Sequence, residues 1–113
     1  MDLPKPVRST MAQFRCGVLP LRIETGRYRG EPISDRICNF CDLNEVEDEL
    51  HFLLKCDLYK FCRQDFLENI GISNLQYNDL NVLFKYLLTH FPRQSANFIY
   101  KAYNLRQRKI TRM

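Results

Sequence analysis

The chain has 113 residues, near the commonest size for a single domain, and 45% of them are apolar, enough to build a core. Net charge is modest at +4, no apolar run approaches the roughly 18–20 residues that span a bilayer, and the opening residues lack the charged-then-apolar pattern of a secretion signal. These features exclude a membrane-spanning bundle and predict an intracellular protein, nuclear or cytoplasmic, without membrane contact.

In chain order, residues 1–8 hold Pro4 and Pro6 and are expected to lack regular structure. Ser9 and Thr10 are placed to cap a short helix with Met11 and Phe14 on one face and Gly17 as its stop. Leu19 to Arg29 reads as irregular, and Gly26, Gly30 and Pro32 punctuate a loop leading to Cys38. Asn44 resembles a helix cap with Glu47 as its capping-box partner, followed by a buried stripe of Val46, Leu50, Leu53 and Leu54. A second helix is expected from about Leu58 to Asn69, with Leu58, Phe61, Cys62, Phe66 and Ile70 facing inward and Gly71 ending it.

Ile72 to Asn78 is a polar connection. Asn78 or Asp79 then caps a pattern in which Leu80, Leu83, Phe84, Leu87, Leu88 and Phe91 recur at three- and four-residue steps, ended by Pro92. A last helix from about Ser95 carries Phe98, Ile99, Ala102 and Tyr103, leaving 107–113 as a basic tail. The prediction is a mainly α fold: one small domain, 9–106, of about four to five helices organised around a metal knuckle.

That knuckle rests on the cysteines. An odd count of five, with two spaced C-x-x-C, fits a reducing compartment better than a disulfide framework. Cys38-x2-Cys41-x9-His51-x4-Cys56 supplies three sulfurs and an imidazole, a set suited to one structural Zn²⁺ with no open coordination position. Residues five apart on an ideal helix differ by about 140° in direction, so one undisturbed helix cannot aim both His51 and Cys56 at a metal. The helix is therefore expected to end near Leu54 or Lys55, with Cys56 opening the next one. Three thiolates around Zn²⁺ leave one net negative charge, which Arg36 and Lys55 are placed to offset, and the second ring nitrogen of His51 needs an acceptor. Rival sets put Cys62 in place of Cys56 or His51; otherwise Cys16 and Cys62 read as buried small apolar residues, and His90 as a helix-end residue.

Charge is uneven. Asp42, Glu45, Glu47, Asp48 and Glu49 form an acidic run without a base, whereas everything from Arg93 onward carries bases and no acid. Candidate phosphate contacts are Arg15, Arg22, Arg27, Arg29, Arg106, Arg108, Lys109 and Arg112, with Tyr28 and Tyr103 as either base-stacking or packing residues.

The run Arg36-Ile-Cys-Asn-Phe-Cys41, then Glu47-Asp-Glu-Leu-His-Phe-Leu-Leu-Lys-Cys56 and Leu58-Tyr59, resembles the zinc-binding region that follows the polymerase in non-LTR (LINE-type) retrotransposon reverse transcriptases. Met11-Ala-Gln-Phe-Arg-Cys-Gly17, Glu24-Thr-Gly-Arg-Tyr28 and Asn97-Phe-Ile-Tyr-Lys-Ala-Tyr-Asn-Leu-Arg106 extend the resemblance over roughly Ser9 to Arg106. Asp57 stands where that family often has proline, and Leu50 where Glu or Tyr is common. The resemblance implies engagement of RNA or DNA beside a polymerase domain, with the knuckle as a structural element. It brings no polymerase with it: the aspartates are scattered singly, whereas a palm gathers them for two metal ions, so no enzymatic activity is expected. The alternatives are a protein-interaction or structural module, or a transposon-derived fragment. Oligomeric state is left open.

Overall fold

The computed structural model describes residues 3–72 and 79–112, with side chains to residue 110. The protein is mainly α-helical, with α1 at Lys5–Arg15, α2 at Arg22–Tyr28, α3 at Lys60–Asn69, α4 at Leu80–His90 and α5 at Pro92–Arg112. Among the described residues the β structure is one antiparallel bridge, Ile37 to Val46. No described helix is long and apolar enough to cross a membrane. The 72–78 connection lies outside the described residues apart from Ile72.

Helix α5 is the spine, packing against α1, α3 and α4. Its inner stripe of Ser95, Ala96, Phe98, Ile99, Ala102 and Arg106 is buried. Val7, Met11 and Phe14 of α1 and Leu83 and Leu87 of α4 close on the same core. Aromatic rings fill the centre: Phe52 lies 4.8 Å from Tyr59 and 6.1 Å from Phe14, and Phe66 stacks on Phe98 at 5.0 Å, spacings that favour offset and tilted pairs.

Four boundaries differ from expectation. Helix α1 begins at Lys5 and not near Ser9, because Pro4 is extended at its cap and Pro6 occupies the first turn, where no N–H is needed. Thr10 is inside that helix, its hydroxyl bonding back to Pro6 O at 3.0 Å. The irregular stretch before Arg29 contains α2, whose first N–H is capped from outside by the Glu47 carboxylate at 2.7 Å. The basic tail continues α5 to Arg112 without a break, since nothing after Pro92 interrupts the helix. Pro92 thus ends α4 and also opens α5, ahead of the expected start at Ser95.

Two stripes shift as well. On α3 the buried residues are Arg63, Phe66 and Leu67, following buried Tyr59; Phe61 is 77% exposed, so the inner face omits that aromatic. Around Asn44, φ is +56°, a left-handed turn and not a helix cap. The cap is Asp48, whose Oδ1 accepts the His51 N–H at 2.8 Å, three residues on.

Candidate metal centre

Two backbone devices bring the four ligands together. The Ile37–Val46 bridge, through Cys38 N–H to Glu45 O at 2.9 Å and Glu47 N–H to Arg36 O at 3.0 Å, closes the loop that carries Cys38 and Cys41. Inside it the Phe40 N–H points at Cys38 Sγ, 3.4 Å away. The second device is the turn His51–Lys55, a π-type turn in which Cys56 N–H bonds to His51 O at 2.8 Å. This wider winding resolves the five-residue spacing: Cys56 then leaves the helix in extended conformation, with φ −63° and ψ 129°. The helix ends at Lys55, within the expected window.

Cys38, Cys41, His51 and Cys56 gather as one group whose ligand atoms all lie within 4.8 Å of one another, the arrangement of a site that could hold a metal ion. Cys38 Sγ is 3.8 Å from Cys56 Sγ, and Cys41 Sγ is 3.4 Å from His51 Nε2. The sulfurs are free thiols, and Cys38, His51 and Cys56 are buried with Cys41 half-buried. Cys62 belongs to α3 and is not in the cluster, so the rival sets containing it are set aside. Cys16 is exposed, contrary to the expectation of burial, because it directly follows α1 on the solvent side.

The electrostatics are those of groups crowded to share protons. The Cys56 sulfur, then buried surroundings and His51, act on Cys38; burial opposes, yet its pKa is pulled down to about 4. The same contact pushes Cys56 up, and burial pushes Cys41 up. For His51 burial is the largest influence and favours the neutral ring, but Cys38 and Glu45 outweigh it and raise the pKa. A cation at the centre would replace these shared protons with coordination.

His51 Nδ1 faces Glu45 Oε1 at 3.4 Å, although the alignment falls short of a hydrogen bond and both atoms are otherwise unpartnered. Glu45 is therefore the acceptor nearest at hand for the second ring nitrogen. Glu45 is held in turn by Lys55 Nζ at 2.9 Å, which keeps its carboxyl below the ordinary range. Lys55 is thus committed to Glu45. Arg36 is committed too, donating to Ile23 O at 2.9 Å and to Glu31 O at 3.0 and 2.8 Å. Lys55 is thus shared with a carboxylate, whereas Arg36 is held by carbonyls alone.

No protein-family model, curated protein or solved structure matches the chain.

The basic residues separate into two kinds. Arg106 is 5% exposed and clamps Glu47 with two bonds, 2.8 and 2.7 Å, while its guanidinium lies 5.1 Å over the Phe40 ring. It is a buried structural pair, its guanidinium committed to Glu47. Arg22 is half-buried, paired with Glu31 at 2.9 Å and bonded to Ile37 O and Asp35 O. Arg27 is exposed but paired with Glu24 at 2.7 Å, and its guanidinium lies 5.0 Å over exposed Tyr28. Arg15, Arg29, Arg108 and Lys109 are exposed; the side chain of Arg112 lies outside the described residues.

One shallow groove of about 660 Å³ brings part of this set together, lined by Arg22, Arg29 and Arg106 with Asn39, Phe40, Tyr103 and Gln107, and by no acid. It joins α2, the turn between the first two cysteines and the last turns of α5. Arg15, Arg27, Arg108 and Lys109 do not line it. Phe40 as a groove residue and Glu47 as the carboxylate that ties three segments together were not legible in the sequence; one acid within an acidic run ahead of an apolar stripe reads as a first-turn helix residue.

Proposed function

We propose that this chain is a zinc-held accessory domain that engages RNA or DNA and contributes no polymerase chemistry of its own. The metal part rests on dimensions. A regular tetrahedron with Zn–S bonds of ~2.3 Å has S···S edges of about 3.8 Å, and one imidazole at ~2.0 Å gives an S···N edge of about 3.5 Å. The Cys38–Cys56 separation of 3.8 Å and the Cys41–His51 separation of 3.4 Å match those edges. Three thiolates with an imidazole favour zinc among available ions, and four protein ligands leave no position for substrate. The metal then ties the loop of residues 38–45 to the His51 turn, which packs on α3 and α4.

The observation that carries the nucleic-acid reading is the groove. It offers arginines, the rings of Phe40 and Tyr103 in its lining, and no opposing carboxylate. Arg22 and Arg106 are ion-paired, whereas Arg29 forms no direct ion pair among the described residues, and Arg108 and Lys109 are exposed on the same last turns of α5. Cation with aromatic is the combination that holds unpaired nucleotides by phosphate contact and stacking. The resemblance to the tail of retrotransposon reverse transcriptases favours the same partners, with a polymerase domain as a further candidate. The absence of polymerase chemistry rests on the scattered aspartates of the sequence.

A second reading, protein docking, is favoured by Phe61, which is 77% exposed on α3, and by a cleft of about 230 Å³ between α3 and α5 lined by Phe66 and Phe98. Fluorescence anisotropy with labelled single-stranded RNA and DNA across a salt series separates the two. The account expects binding that weakens linearly with log salt, with the slope shallower by about 0.7 for each phosphate contact removed, as in Arg29→Ala. Salt-independent binding, or none at low salt, contradicts it.

A further inference from the structure

Buried behind the metal centre is a cation that forms no ion pair among the described residues; the charges that act on it are those of Cys56 and then Asp57. Arg63 of α3 is 6% exposed, and its guanidinium donates to Leu53 O at 2.8 Å, Cys56 O at 2.9 Å and Phe52 O at 3.4 Å. All three acceptors belong to the turn that carries His51 and Cys56 or to Cys56 itself. Among the described residues no ion pair forms on Arg63, whereas the equally buried Arg106 has Glu47.

An unpaired buried charge costs several kcal/mol, and carbonyl dipoles recover only part of that. The missing compensation lies one residue away. Three thiolates and a neutral imidazole around a divalent ion carry one net negative charge, and Cys56 is both a ligand and an anchor of the Arg63 fork. Of the cations nearest the ligands in sequence, Lys55 is paired with Glu45, and Arg36 donates to the carbonyls of Ile23 and Glu31, outside the ligand turn.

We propose that Arg63 is the positioning residue and charge partner of the Cys38/Cys41/His51/Cys56 metal centre, holding the ligand turn through three carbonyls while its charge balances the metal-bound thiolates. The proposal rests on the metal-binding reading of the cluster and adds to it the residue that tunes its affinity. Two features make it specific. The rigid planar fork of a guanidinium fixes its donors toward these three carbonyls, a geometry that the compact, rotatable ammonium of lysine does not reproduce. Neutral donors can keep some of those bonds without supplying charge.

The test measures metal affinity by competition with a chromophoric chelator, using Zn²⁺ on wild type, Arg63→Lys and Arg63→Gln. Cobalt substitution reports ligand geometry through its visible absorption. The expected order is wild type tightest, then Arg63→Lys, then Arg63→Gln weaker by about 10–100-fold, with the cobalt spectrum still that of a tetrahedral sulfur-rich site. If Arg63→Gln folds only when metal is added, the midpoint of its metal-induced folding is the readout. Affinities of all three within about two-fold, or Arg63→Gln binding as tightly as Arg63→Lys, overturn the proposal while leaving the metal site standing. A wild-type protein that takes up no metal overturns the site itself, and this role with it.

Discussion

At the scale of single residues, the ligand set was legible because its chemistry is local: a C-x-x-C pair followed by His51 and Cys56 specifies donor types and count directly. Its supporting residues were not. Glu45 looked like one acid in a run, yet it alone faces His51 Nδ1. Arg63 was hidden because a charge is not expected on an inner face: Leu58, Cys62, Phe66 and Ile70 pack on the core as expected, but Phe61 is exposed and the most buried positions are Tyr59, Arg63, Phe66 and Leu67. Asn44 and Asp48 show the same limit, since both are good caps and only the left-handed backbone at Asn44 decides between them. Each ligand is expected to be indispensable. Cys38→Ser should abolish metal uptake and lose helical circular dichroism around the site, because binding and folding are coupled in small metal domains. A folded Cys38→Ser protein with an unchanged spectrum would contradict this.

At the scale of elements, α5 is tied to the metal loop by one buried ion pair. Glu47 receives both bonds of Arg106 and caps the first N–H of α2, so one carboxylate joins three segments distant in sequence. Removing one partner of such a pair leaves the other buried and uncompensated. Glu47→Ala should therefore destabilise the fold by about 3–5 kcal/mol, read from denaturant unfolding at fixed metal concentration. An effect below about 1 kcal/mol would show that the pair is dispensable. A second element-level prediction concerns Gly26 in α2. A Cβ there would meet Arg36 Cγ and, at 2.8 Å, both Arg36 Cδ and Glu31 Oε1, and Arg36 is pinned to carbonyls and has little freedom to retreat. Gly26→Ala, ordinarily favourable in a helix, should instead cost roughly 1–3 kcal/mol. Helix α2 was unreadable for a related reason: a short polar segment with a central glycine has little intrinsic helicity, and its cap comes from Glu47, twenty-five residues on.

At the scale of the molecule, the mainly α architecture followed from periodicity, most plainly in α4 and α5, where leucine and aromatic spacing is regular and Pro92 marks the junction. The extension of α1 and α5 beyond their expected ends was less accessible, since tertiary packing decides how far a helix persists. The charged groups also set a pH response. Glu31 and Glu45 are held below the ordinary carboxylate range, by Arg22 and by Lys55 respectively. A depressed folded-state pKa contributes stability that is present above the unfolded value and lost as pH falls through the folded one. Metal ligands add a separate loss, because thiolates must stay deprotonated to bind. The difference in melting temperature between metal-loaded and metal-depleted protein should therefore shrink as pH is lowered, leaving only the carboxylate-driven loss; a gap that stays constant down to the carboxylate range would argue against thiolate ligation.

The most direct measurement is metal content. Protein expressed with zinc supplementation, alongside its His51→Ala variant, is analysed for bound metal by elemental analysis and native mass spectrometry. The account predicts one zinc per chain, lost in the variant. A folded wild-type protein without metal, with the same melting temperature before and after added zinc, would reduce the four clustered side chains to core residues and contradict it.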